Sequence, residues 1–325
     1  MGSTPKTNTR PVRWLRSLWF WLGIRVFAGH ALAEARACDH PRMSAESYSG
    51  ASVAAFFDQY GRREWERLDR DARSRLIHYL HEHFLEGSLR VDVRVLDAGC
   101  GAGRFALQCA RAGARLTLLD ISPTQLELAR TQLADLRARI EDAIVADITD
   151  LSMLASAQFD LTLCYGSVLS YLVDEGERGL SELVRVTRPG GRVVLSVGSR
   201  LGLFRFAAGR PGLDAAGFFG RPEHWLIDRV LETGTLPVHP EVEHPARHFY
   251  TSEELRGLMT RCGLVELELA TAPALTGGMF ERLTEIESSA RAWATLRSLE
   301  ERCYREPGLL DAGDFILARG TVRGR

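Results

Sequence analysis

An α/β fold built on a mostly parallel sheet is predicted by three features of the sequence. Short apolar runs at 93–96, 115–119, 143–146, 159–164 and 192–197 alternate with segments of helical periodicity, the pattern of strands joined by crossover helices. Three of these runs stop on an acid, at Asp97, Asp120 and Asp147. The first acid opens the loop Asp97-Ala98-Gly99-Cys100-Gly101-Ala102-Gly103, with glycine at every second position, and helix-forming residues follow from Arg104 to Ala112. Glycine there lets a ligand approach the backbone N–H groups at the start of the helix.

Residues 1–42 are expected to be a leader outside the fold. Lys6, Arg10, Arg13 and Arg16 precede the apolar run Ser17–Ile24, and Ala31-Leu32-Ala33 follows. The run is too short to span a bilayer. Three readings are open, in this order: an untranslated leader with Met43 as the start, an amphipathic peripheral anchor, and an export signal. From 43 to 92 two helices are expected. Val53, Phe56, Phe57 and Tyr60 space one apolar face, closed by Gly61, and a second helix runs from Trp65 through Phe84 to Gly87.

Residues 93–325 hold the alternating part. Asp120 ends the second strand about twenty residues beyond the glycine loop, where a ribose would be gripped. Ser122, Pro123 and Gln125 then read as N-cap, N1 and N3 of a capping box. The third strand leads to Asp147-Ile148. The fourth, Phe159–Cys164, is followed by Tyr165-Gly166-Ser167 at the point where an open parallel sheet binds ligands. Arg188-Pro189-Gly190-Gly191 turns into strand five. The segment 199–249 is too long for an ordinary connection and is read as a helical, substrate-side insertion. Thr251 and Glu254 form a second capping box, 264–269 is a strand, 278–305 a helical segment, and Asp314–Arg319 the last strand.

A formal net charge of -1 argues against a nucleic-acid partner, because phosphate affinity needs a basic surface. Lys6 is the only lysine, so a Schiff-base mechanism has no nucleophile in the folded part. The six cysteines form no C-x-x-C pair and suit a reduced, cytoplasmic protein. His78, His81 and His83 share a helix, but no spacing completes a metal site, and none is expected.

The loop is not the dinucleotide fingerprint G-x-G-x-x-G, since Arg104 stands where its third glycine would be. With Asp97, Asp120, Asp147 and the Arg-Pro-Gly-Gly turn, residues 93–199 resemble the class I S-adenosylmethionine-dependent methyltransferases of small-molecule type. The resemblance implies a Rossmann-like seven-stranded sheet in the order 3-2-1-4-5-7-6, with residues 43–92 as a helical lid. It implies S-adenosylmethionine held by Asp97, Gly99, Cys100, Gly101, Gly103, Asp120, Ile121, Asp147, Ile148, Cys164 and Tyr165, with Tyr48, Phe57 and Tyr60 of the lid touching substrate or cofactor.

The sulfonium already activates the methyl, so alignment and water exclusion are the protein's main tasks. Tyr165, Tyr171, His224, His239 and His244 are candidates for catalytic contact, with His248 a further histidine of the insertion. The first expectation is methyl transfer to a small molecule, possible in secondary metabolism. Two alternatives stay open: cyclisation of S-adenosylmethionine itself, releasing methylthioadenosine and a small cyclic amino acid, and cofactor binding without catalysis. No stable membrane insertion is expected. The acceptor and the oligomeric state are not legible in the sequence.

Overall fold

A computed structural model describes residues 47–209, 225–238 and 244–324. The leader 1–42, His224 and His239 lie outside the described residues. The lid begins with α1 (Gly50–Tyr60), whose N-cap Ser49 accepts from the Ser52 N–H and whose C-cap is Gly61 at φ +52°. The single helix expected from Trp65 to Phe84 is two. A one-turn helix, α2 (Arg63–Glu66), ends before Asp71, whose side chain accepts from the Ser74 N–H and starts α3 (Ala72–Glu86) anew. An Asp at an N-cap satisfies an N–H that a continuous helix would have used differently, so the break is local chemistry.

The body follows the expected alternation: β1 (Arg94–Ala98), α4 (Arg104–Arg111), β2 (Arg115–Asp120), α5 (Pro123–Gln132), β3 (Ile140–Val145), β4 (Phe159–Cys164), α6 (Val168–Tyr171), α7 (Gly176–Val186) and β5 (Thr187–Gly198). The insertion contributes α8 (Arg200–Gly209), α9 (Trp225–Thr233) and a two-stranded ribbon of β6 (Thr235–Leu236) and β7 (Arg247–His248). Then come α10 (Ser252–Arg261), β8 (Leu264–Ala272), α11 (Glu281–Glu287), α12 (Ala290–Cys303) and β9 (Phe315–Val322). The helical segment 278–305 is thus two helices, restarted by the Ser289 cap.

The seven-stranded sheet has the order β3-β2-β1-β4-β5-β9-β8, with β9 antiparallel to both β5 and β8. In chain order of its strands this is the expected 3-2-1-4-5-7-6. Both faces are covered, which is why its strands read as continuous apolar runs. Leu118, Leu163 and Val194 pack into one core with Leu80 and Phe84 of α3 and Phe105 of α4. Their neighbours Leu119, Cys164 and Leu195 pack into the other with Leu183 of α7 and Met259 of α10. β1 pairs with β2 on one side and β4 on the other, so the chain reverses direction across the sheet at β1/β4. A crevice opens there above the carboxyl ends of the strands.

Candidate active site

The glycine loop sits at that crevice. Gly99, Gly101 and Gly103 all have positive φ, at +79°, +51° and +89°. At Gly99 a Cβ would overlap the Val168 side chain, and at Gly103 it would come within 2.9 Å of Leu133 Cδ1. The Gly99 and Cys100 N–H groups both donate to the Leu119 carbonyl, at 2.7 and 3.0 Å, which ties the loop to β2.

A cavity lies over the loop, where an open parallel sheet binds ligands. Gly99, Cys100, Gly101, Asp120, Ile121, Asp147, Ile148 and Tyr165 line it, together with Tyr48 and Phe57 of the lid. Asp120 is the best-placed acid: Oδ2 accepts from the Gly101 N–H at 2.8 Å and Oδ1 from the Ser122 N–H at 2.9 Å. Each oxygen keeps a lone pair for a ligand hydroxyl. Burial pushes its pKa up to about 6 against these two hydrogen bonds. Asp147 accepts from Thr149 through Oδ1 and from the Tyr48 hydroxyl through Oδ2, at 2.6 Å. These donor and acceptor groups, with side-chain-free backbone at Gly101, fit an adenosyl ligand.

Three of the expected cofactor residues do not line the cavity. Asp97 is buried beneath the loop and its Oδ2 makes no hydrogen bond among the described residues. Burial, and then the nearby Asp120, raise its pKa to about 7. Gly103 is packed against α5, and Cys164 is a core residue. Tyr165 lines the cavity with its ring only. Its hydroxyl donates to the His81 carbonyl at 3.2 Å inside the core, which removes it as a catalytic candidate.

A second cavity adjoins the first, and Phe57, Glu64, Arg67, Leu68, Gly166 and Tyr171 line both. Lid and insertion close it together, through Phe56 and Tyr60 on one side and Leu203, His244, Arg247 and Phe249 on the other. The wall between the cavities carries a charged pair that the sequence reading missed. Arg67 grips Glu64 through Nε and Nη2, at 2.7 and 2.6 Å. Burial works against the Arg67 charge, but Glu64 outweighs it and holds the guanidinium protonated. An Arg three residues after a Glu is a weak sequence signal, because most such pairs are solvated.

Tyr171 and His244, two of the candidates, lie side by side in this cavity. Their rings stack at 5.3 Å and 14°, and the Tyr171 oxygen is 3.2 Å from His244 Nε2. His244 Nδ1 lies 3.2 Å from the Pro245 carbonyl, which can only accept, so Nδ1 carries the proton and Tyr171 donates to Nε2. Burial, and then Arg247, keep the His244 pKa well below its usual value, so the imidazole is neutral. His248 is elsewhere: its Nε2 is 2.6 Å from Glu254, which also pairs with Arg200.

The lid is fastened to the body by α5. Asp58 accepts from the Ser122 hydroxyl at 2.6 Å, and Gln125 Nε2 donates to the Phe57 and Gly61 carbonyls, each at 3.0 Å. The expected capping box at Ser122 is therefore half-formed. Its Ser cap holds, but Gln125 reaches to the lid and the Ser122 N–H bonds Asp120 instead. Among the described residues, no three His, Cys, Asp or Glu side chains cluster as metal ligands, and no helix is long and apolar enough to cross a membrane.

Residues 95–191 match the family described as methyltransferase domain. A malonyl-[acyl-carrier protein] O-methyltransferase of Pectobacterium atrosepticum is 32% identical over 158 residues, 47% of this chain and 56% of that protein. A ubiquinone biosynthesis O-methyltransferase of Xanthomonas oryzae pv. oryzae is 30% identical over 136 residues, 41% of this chain and 56% of that protein. The chain thus spans about half the length of the curated relatives it matches. A solved S-adenosylmethionine-dependent methyltransferase of Mesorhizobium loti shares the fold at 22% identity and a TM-score of 0.51, covering 75% of this chain and 97% of that one. The matched residues hold the glycine loop, Asp120 and Asp147, so it is the cofactor side of the crevice that is similar to a methyltransferase domain, carried on a sheet with the strand order of that fold.

Proposed function

We propose that the protein transfers a methyl group to an oxygen of a small-molecule acceptor seated in the second cavity. The observation that carries this reading is the pair of adjoining cavities, one over the glycine loop and one between lid and insertion, meeting at Gly166 and Tyr171. Intramolecular cyclisation of the cofactor needs no second cavity. The O-methyltransferase relatives support oxygen as the accepting atom.

Bound S-adenosylmethionine supplies a methyl group activated by its sulfonium. The chain's own residues then have three tasks. Asp120 and Asp147 accept hydrogen bonds from the ligand and fix its position. The rings of Phe57 and Tyr171, which line both cavities, offer π faces to a cation and keep water out. Tyr171 and His244 present a polar pair to the acceptor. Because His244 is neutral and weakly basic, the site suits an acceptor oxygen that ionises without help.

Chromatography of reactions with the full chain tests the reading. With S-adenosylmethionine and a panel of oxygen acceptors, S-adenosylhomocysteine should form only when an acceptor is present. Enzyme-dependent methylthioadenosine in the absence of acceptor would overturn methyl transfer in favour of cyclisation.

A further inference from the structure

The second cavity holds a buried cation that no carboxylate among the described residues neutralises. Arg247, on β7, is 7% exposed and lines the cavity. Among the described residues, its Nε and Nη2 make no hydrogen bond. These are the two donors on one edge of the guanidinium, the fork that takes a carboxylate or phosphate side-on. Its neighbours do not discharge it: the Tyr171 and Phe249 rings lie 5.8 and 5.1 Å from it, and His244 is neutral.

The other guanidinium groups of the cavity differ. Arg67 is paired with Glu64, Arg70 reaches Asp71 at 3.4 Å, and buried Arg73, behind the wall, is paired with Asp314. An isolated buried charge is costly, and native proteins retain one where a partner arrives. A second orphan points the same way. The Ser167 hydroxyl, also buried and lining this cavity, has no hydrogen-bond partner among the described residues.

We propose, resting on the methyl-transfer reading of the site, that the acceptor carries a carboxylate or phosphate that docks side-on against Nε and Nη2 of Arg247. This group is the anchor and not the methylated atom. A fork that binds two of its oxygens draws off their charge and weakens them as nucleophiles, so the methyl goes to a different oxygen.

The test titrates the full chain, saturated with S-adenosylhomocysteine, with benzoate, phenyl phosphate and benzamide. At least one anion should bind ten times or more tighter than benzamide, and the tighter of the two identifies the anchor as carboxylate or phosphate. R247M should weaken that anion at least tenfold while S-adenosylhomocysteine binds within twofold of the wild type. R247M should also melt no lower than the wild type, since an unpaired charge has been removed. R247K keeps the charge without the fork and should fall between the two.

Benzamide binding as tightly as both anions, or anion binding unchanged in R247M and R247K, would overturn the proposal. A wild-type chain that binds anions through Arg247 but not S-adenosylhomocysteine would sink the methyl-transfer reading and leave the anion site standing.

Discussion

The two cavities that meet at Gly166 and Tyr171 are built by opposite means. The polar floor of the cofactor cavity is assembled within one stretch, from loops at the carboxyl ends of β1 to β4, where backbone N–H groups and carboxylates face the ligand and only the cover comes from the lid. The acceptor wall draws on the lid, α6, α8, β7 and the residue before β9, and its character comes from side chains: aromatic rings, Arg67 and Arg247. The cofactor wall is a consequence of the fold and serves any member of it. The second cavity depends on which side chains the N-terminal helices and the 199–249 segment bring together, and on the methyl-transfer proposal that is where specificity would reside.

The comparison can be broken at four points. The largest effect is expected at Gly99. Ala there must adopt φ +79° and overlap Val168, so G99A should weaken S-adenosylmethionine binding more than a hundredfold by calorimetry. Adding V168A would relieve the overlap but not the dihedral. Recovery of binding to the wild-type level in the double variant would show that sterics alone, and not loop conformation, make the cofactor wall.

Asp97 tests whether that wall stores electrostatic strain. Its folded pKa of about 7 lies above the unfolded value near 3.9, so its contribution is fully present below about pH 3.9 and is lost as the pH rises through 7. Between pH 5 and 8 the stability of the wild type relative to D97N should therefore fall by about 3 kcal/mol in urea unfolding. A difference that does not vary with pH would place the ionisation of Asp97 outside this range.

Removing Asp120 addresses recognition itself. D120A should cost roughly 1.5–3 kcal/mol of cofactor affinity, about ten- to hundredfold, the size of a hydrogen bond to a charged group. An unchanged dissociation constant would take Asp120 out of the site.

The smallest effect sharpens the division between lid and body. Q125L removes both bonds from α5 to the lid carbonyls, each worth about 0.5–1.5 kcal/mol. It should speed proteolysis between α1 and α3 while the melting temperature of the body shifts by only a few degrees. Unchanged cleavage would mean that Asp58 and Tyr48 hold the lid without it.

The legibility of the chain divides along the same line. Strand periodicity, the helix caps at Ser122 and Thr251, and the acids at strand ends are local signals, and each fixes an element from residues a few positions apart. Gly99, Asp120 and Asp147 were therefore readable as cavity residues, as was the alternation of the fold. Cys164 stands at the expected strand end but packs in the core, and Tyr165 lines the cavity while its hydroxyl turns to the His81 carbonyl, because side-chain direction beyond a strand depends on what packs against it.

By itself the sequence determined the α/β alternation, the glycine loop and the acids around it, because backbone geometry and capping act over short distances. Only the tertiary structure decided that Asp97 is buried beneath the loop beside Asp120, that Gln125 leaves its own helix cap to hold the lid, and that Arg247 is buried with no carboxylate partner among the described residues. Each of these depends on a partner, or the lack of one, set by residues distant in the chain, and no periodicity within a segment records such a distance.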